Sequence, residues 1–431
     1  MKSHTTSTFL LQFYRSATSL LSSIIALYVY VRTLRGKEDK TRLSERFGHP
    51  AFPRPDGVLV WAHAASVGEM MSCLHLLKAL LTKRPDITIL LTTGTVTSAR
   101  LAPSKLSEGI VHHYMPIDTP KAVKRFQSHY RPDLVLWMES ELWPNHLHML
   151  AQNATPCLLI NARMSDRSSR RWSRFSASIK TLLSPFTAIY AGSNSDAARF
   201  ARLGATSLHM AGNIKYDAPA LQADATVLNE LTQLFRQRPI WIAASTHAGE
   251  EAIILDAHKI ITHSIPNLLT IIAPRHAKRG ESVAKLVASQ HLKFARRSVQ
   301  DSITPDTAIY IADTMGELGN LFRLCDIVFI GGSLVARGGH NPIEPARLNC
   351  ALITGPHIHH FTDIYSHFTS ALAVEIVKDA ASLANAMTNL MLSIELRNER
   401  AQAASAVVSA HAGATRKLLK HALQLLPEPL V

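Results

Sequence analysis

Residues 58–71 read VLVWAHAASVGEMM, and this stretch decides the fold. VLVWAHAA is an apolar run with β-branched residues, the pattern of a strand buried on both faces. SVGE is a small-residue turn, and MMSCLHLLKALL follows it with Met70, Leu74, Leu77 and Leu81 on one helical face. Working outward, ITILLTT, DLVLWME, PCLLINAR, TAIYAGS and SLHMAGNI repeat the strand pattern with helices between them. After LNELTQLFRQRP the series restarts with PIWIAAST, NLLTIIAPR, AIYIADT, DIVFIGGS and CALITGP. Alternating strands and helices with continuously apolar strands predict an α/β protein with parallel sheets covered on both faces. Two such series predict two Rossmann-like domains facing a cleft: residues 36–215 and residues 216–431, the latter ending in an Ala- and Leu-rich helical tail. Ligands are then expected beyond the carboxyl ends of the strands.

The 431 residues are 47% hydrophobic and 18% charged, which excludes a disordered chain. The net charge of +14 points to an anionic partner: nucleic acid, a phospholipid surface or a phosphorylated substrate. Four cysteines without C-x-x-C spacing disfavour a disulfide framework or a cysteine zinc site. Residues 1–35 read as an anchor. Ser16 to Val31 is uncharged and apolar, and as a helix it reaches roughly 24 Å, short of the roughly 30 Å hydrocarbon core. Arg32, Arg35, Lys37, Lys40, Arg42 and Arg46 follow it, and basic residues there favour a cytoplasmic exit beside anionic headgroups. An ordinary buried first helix is the plain alternative.

Four segments carry chemistry. In HAASVGE, Ser66 and Glu69 fit a capping box, yet the turn lies at the sheet's ligand-binding edge. A carboxylate there, kept ionised by the helix macrodipole, can accept a proton from a sugar hydroxyl. In WMESELWPN, Glu139 and Glu141 follow a strand; on an extended end they point the same way and call for a shared cation or proton. GNIKYD places Lys215 at the presumed domain junction, as a cation for an anionic ligand or as an exposed linker lysine. FIGGSLVARGGHNPIEPA runs from a strand into Gly331, Gly332, Gly338 and Gly339, then Asn341 as N-cap, Pro342 as N1, Ile343, and Glu344 as N3. Paired glycines let backbone N–H groups close on a phosphate. Glu344 completes a cap or binds a ribose hydroxyl. Neither G-K-[ST] nor G-x-G-x-x-G is present, so ATP hydrolysis and dinucleotide binding lose support. Pro274 and Arg275, then Met315, Gly316 and Glu317, lie on two further loops after strands. Arg163, Arg167, Arg170, Arg171 and Arg174 either form a solvated face or cradle phosphates. The 22 histidines show no zinc signature, and no metal is expected.

Together HAASVGEMM, MESELWPN, INARMSDRS, GNIKYD, IIAPRH, DTMGELGNLF and GGHNPIEPA resemble, in order, the 3-deoxy-D-manno-octulosonic acid (Kdo) transferases. The resemblance implies a GT-B glycosyltransferase fold with an N-terminal anchor on the cytoplasmic face of the bacterial inner membrane. It implies inverting transfer of Kdo from CMP-Kdo to a lipid A precursor (lipid IVA) in lipopolysaccharide biosynthesis, without cofactor or metal. By motif, it makes Glu69 the general base and gives Glu139 and Lys215 transition-state stabilisation. Pro274, Arg275, Met315, Gly316, Glu317, Asn341, Pro342, Ile343 and Glu344 would hold CMP. The competing readings are a GT-B transferase with another nucleotide sugar, and a basic polyanion-binding protein. The latter leaves the carboxylates and glycine loops unexplained, and no RNP-type strand or helix-turn-helix supports nucleic acid as a partner.

Overall fold

In a computed structural model, residues 8–235 and 238–428 are described. They form two compact units: the chain up to Ala218 joined by the tail from Ala412, and Pro219–His411. The first unit holds β1 (Leu59–Ala64), β2 (Thr88–Thr93), β3 (Ile110–Tyr114), β4 (Leu134–Met138), β5 (Cys157–Ala162), β6 (Ala188–Ala191) and β7 (Leu208–Met210). Their order is β3-β2-β1-β4-β5-β6-β7, and each pair is parallel. The second holds β8 (Ile240–Thr246), β9 (Leu269–Pro274), β10 (Phe294–Arg296), β11 (Ile309–Ile311), β12 (Ile327–Ile330), β13 (Ala351–Thr354) and β14 (Val374–Ile376). Here the order is β10-β11-β9-β8-β12-β13-β14, again parallel. Setting β7 and β10 aside, both sheets follow the doubly wound order, so each has a switch point: β1 beside β4, and β8 beside β12.

The helices that matter below are α1 (Phe9–Leu20), α2 (Ser22–Leu34), α3 (Val67–Lys83), α4 (Pro144–Asn153), α5 (Glu250–Thr262), α6 (Leu318–Leu324), α7 (Ile343–Arg347) and α8 (Ala414–Leu425). Of these, α8 corrects the expected division of the chain. The tail is helical as expected, but α8 leaves the second half and packs on the first. Its Ala414, Leu418 and Ala422 are buried against Cys73, Leu76, Leu77 and Leu80 of α3. The buried arc of α3 is accordingly wider than the predicted stripe, because sheet and tail helix cover adjoining faces. Asp217 fixes the return: one carboxylate oxygen accepts from Gly413 N and the other from Thr415 N, each at 2.5 Å.

The apolar N-terminal stretch is not one helix. It breaks at Leu21 into α1 and α2, whose axes differ by 65°. Thr18 Oγ1 bonds back to Tyr14 O and Arg15 O just before the break, a pattern that bends helices. Among the described residues no single helix is long and apolar enough to cross a membrane. One face of α1 docks on the first unit through Leu11, while Phe9, Phe13, Leu20, Ile24, Leu27, Tyr28 and Leu34 are exposed.

Candidate active site

The carboxyl ends of β1 and β4 lie side by side at the first switch point. The chain leaving β1 turns at Ser66, whose backbone is extended and whose Oγ accepts from Glu69 N at 3.3 Å, starting α3. The Glu69 carboxylate reaches past the cap: one oxygen accepts from Ser66 Oγ and the other from Ala65 N, both at 2.9 Å. These two bonds fix the carboxylate and leave it lone pairs on the open side. The expectation that the macrodipole keeps Glu69 fully ionised is overturned. Burial, then the nearby charge of Glu139, push its carboxyl up from 4.5 to about 7, against the pull of the Ala65 and Ser66 bonds. A helix N-terminus contributes only ~0.3–1 kcal/mol, while each pKa unit is worth about 1.4 kcal/mol, so burial and like charge win.

Glu139 also departs from expectation. Its φ is +54°, so the chain turns off the sheet there and Glu139 and Glu141 do not share an extended end. The left-handed conformation is costly for a residue with a Cβ and is typical of functional sites. It is held by Glu139 N donating to Ile160 O at 3.0 Å and by Trp137 Nε1 donating to Glu141 O at 2.5 Å. Burial, and secondarily Glu139, raise the Glu141 carboxyl, opposed by a bond to Trp143.

Lys215 lies not on an exposed linker but in a half-buried 3-10 turn, Ile214–Asp217, of the first unit. Asn213 Oδ1 accepts from Lys215 N at 3.0 Å, and Asn161 Oδ1 accepts from Ile214 N at 3.3 Å. Burial lowers its pKa; Glu139 and Glu69 oppose this and Arg163 adds to it, so all four charges share one corner. The three residues with expected catalytic roles thus come together on one unit. Arg167, Arg170, Arg171 and Arg174 are exposed to solvent.

The acidic loop is braced from behind by Asp118, which sequence reading passed over. The two carboxylate oxygens of Asp118 accept from Asn145 N at 3.1 Å and His146 N at 3.0 Å, capping α4, which has no cap of its own. Tyr14 also bonds Asp118, and Asn145 Nδ2 donates to Thr18 Oγ1 at 3.2 Å, tying α1 to the same corner. Asp118→Ala is expected to destabilise the protein by about 1–2 kcal/mol, read as a lower urea midpoint.

In the second unit Ser245, Ala273, Pro274, Arg275, Ala312, Thr314, Met315, Gly316, Glu317, Leu318 and Leu321 line a pocket of about 400 Å³, part of it open to solvent. Five of the expected CMP-binding residues therefore share one pocket. Arg275 is exposed and, among the described residues, makes no side-chain hydrogen bond or ion pair. Glu317 does not offer a free carboxylate: Arg297 Nη2 and Thr314 Oγ1 hold it at 3.2 and 2.5 Å, and Arg297 is anchored in turn on Glu230 at 2.8 Å. The parts of the turn left unengaged are its backbone and the exposed Met315.

Asn341, Pro342, Ile343 and Glu344 do not line that pocket; they open α7. Asn341 Oδ1 accepts from Ile343 N at 3.2 Å and Pro342 already has helical backbone angles, so Asn341 caps the turn as expected, with regular helix counted from Ile343. Burial raises the Glu344 carboxyl, opposed by its bond to Asn341 and by the charge of Arg275, so Arg275 joins this segment to the pocket.

The glycine loop departs most from expectation. The N–H groups of Gly332, Ser333 and Leu334 do point inward together, but they close on the carboxylate of Glu250, not on open space. Glu250 Oε2 accepts from Gly332 N at 2.7 Å and His247 N at 2.9 Å. Its Oε1 accepts from Ser333 N at 2.8 Å and Leu334 N at 2.9 Å. Glu250 has no exposed surface. Among the described residues no group of three or more His, Cys, Asp or Glu is placed to hold a metal.

Residues 41–218 match the family described as 3-deoxy-D-manno-octulosonic-acid transferase (kdotransferase). The chain is 35% identical over 414 residues to a 3-deoxy-D-manno-octulosonic acid transferase of Haemophilus influenzae, covering 94% of this chain and 96% of that one. It is 36% identical over 399 residues to a probable mitochondrial enzyme of the same name from Arabidopsis thaliana, covering 90% and 89%. Among solved structures it is similar to a glycosyltransferase from Rickettsia africae, with a TM-score of 0.56 at 14% identity, covering 86% and 99%, which supports the GT-B fold. Identity above 30% along nearly the whole of both chains shows that the chain belongs to the 3-deoxy-D-manno-octulosonic acid transferases, glycosyltransferases of lipopolysaccharide biosynthesis.

Proposed function

We propose that the protein transfers Kdo from CMP-Kdo to the tetra-acylated lipid A precursor, lipid IVA, with inversion at C2 and Glu69 as general base. The carrying observation is the Glu69 carboxyl, fixed by two hydrogen bonds and pushed to about 7, where a base is both available and strong. In this scheme the acceptor hydroxyl gives its proton to Glu69, its oxygen bonds to C2 of the sugar, and the C2–O bond to phosphate breaks. CMP leaves with the electron pair. Lys215 supplies positive charge where the transition state gains negative charge, and Glu139 faces the positive charge that develops on the sugar. Arg275 meets the phosphate, the Met315–Glu317 turn and Pro274 bound the nucleoside, and Asn341–Glu344 complete the donor site. No cofactor takes part.

The exposed apolar faces of α1 and α2, followed by Arg35, Lys37 and Lys40, support seating in the interface of an anionic bilayer, on the cytoplasmic face of the bacterial inner membrane. Co-flotation with vesicles containing phosphatidylglycerol, lost with neutral vesicles or on Phe13→Asp with Leu27→Asp, is the expected result.

The test of the reaction is a transfer assay with CMP-Kdo and lipid IVA, products resolved by mass spectrometry. Product from wild type is expected. Turnover with a UDP-sugar but none with CMP-Kdo would overturn the donor. Arg275→Ala is expected to weaken CMP binding about 10- to 100-fold by calorimetry, the loss of one charge-assisted phosphate contact, with stability unchanged.

A further inference from the structure

In doubly wound domains the first strand-to-helix turn commonly presents backbone N–H groups to a pyrophosphate. In the second unit that turn follows β8, and its partner across the switch point follows β12. Both turns aim N–H groups inward, from His247 on one side and Gly332, Ser333 and Leu334 on the other. Such a set of converging amides is an anion site. Here its anion belongs to the chain: the fully buried carboxylate of Glu250 takes all four donors at 2.7–2.9 Å.

The filled site adjoins the donor pocket. Ser245 lines the pocket, Thr246 O accepts from Arg275 N at 3.0 Å, and the next residue, His247, gives the first amide. Gly331 keeps the two turns in contact, since a Cβ there would stand 2.8 Å from Ser245 O. The fixed charges nearby are cationic, Arg275 and Arg337, while His247 and His340 share a 3.0 Å bond and burial holds both toward the neutral form. Arg279 is drawn off by Glu251.

We propose that Glu250 is a specificity-determining residue: its carboxylate stands in for a second phosphate, so the pocket takes nucleoside monophosphate donors and excludes nucleoside diphosphate donors. This rests on the CMP-sugar reading of the pocket. A diphosphate extending from the pocket toward the switch point meets a negative charge on amides already taken. A monophosphate ends before them, at Arg275.

The test uses the full chain with Glu250→Ala and Glu250→Gln. Affinities for CMP and CDP are measured by calorimetry, and melting temperature is followed with and without inorganic phosphate. Wild type is expected to prefer CMP. Glu250→Ala is expected to shift the CDP-to-CMP affinity ratio at least about tenfold toward CDP, and to gain more melting temperature with phosphate than wild type does. Should Glu250→Ala not fold, the same ratio in Glu250→Gln decides. An unchanged ratio in a folded variant, or a wild type that binds CDP as tightly as CMP, overturns the proposal. If neither nucleotide binds wild type, the donor reading fails separately, and phosphate stabilisation of the variant still decides whether Glu250 fills an anion site.

Discussion

Glu69→Ala is expected to lower turnover about 10²- to 10⁴-fold, the usual contribution of a positioned general base. CMP binding should be essentially unchanged, because Glu69 lies in the first unit and the nucleotide pocket in the second. The pH profile separates this loss from simple damage. A base works only when deprotonated, so the wild-type kcat/KM should rise with pH through an apparent pKa of about 7. In Glu69→Gln the remaining rate should lose that rise. A mutant that keeps the limb near 7 would place the base elsewhere.

Glu139→Gln is expected to act twice. Turnover should fall about 10²- to 10³-fold, as for removal of a fixed charge facing a transition state. The acid limb should also move below 7, because the charge of Glu139 is, after burial, the largest influence raising the Glu69 carboxyl. The direction follows from charge alone: with one neighbouring negative charge gone, the anionic form of Glu69 is easier to make. Lost turnover with an unmoved limb would mean that Glu139 does not share the corner with Glu69 in solution.

Both effects concern residues that the linear sequence exposes. Glu69, Glu139 and Lys215 each follow a recognisable strand or turn, and the central strands TILLTT and LVLWM announce themselves as unbroken apolar runs. What the sequence hides has physical reasons. β3, β10 and β14 lie at sheet edges with one neighbour each, so Ile110–Tyr114, Phe294–Arg296 and Val374–Ile376 carry polar residues and lack the apolar signature. Glu250 begins a helix, where an acid ordinarily serves the dipole at the surface; its burial depends on a loop 82–84 residues away. Asp118 likewise caps a helix that starts 26 residues later in the chain. Local pattern reading finds strands and turns but not a carboxylate whose partners are brought by tertiary structure.

The return of α8 gives the protein an order of assembly on the ribosome. The face of α3 with Cys73, Leu76 and Leu80 is made early, but the helix that covers it begins at Ala414. At roughly 5–20 residues per second, the intervening chain takes roughly 17–67 s to synthesise. Through that interval the second unit can fold as a continuous segment while the first waits with an apolar strip uncovered. Chaperone engagement should therefore concentrate on nascent chains that have passed residue 218 and not yet reached 412, and a premature stop just before α8 should expose the oldest part of the protein rather than the newest.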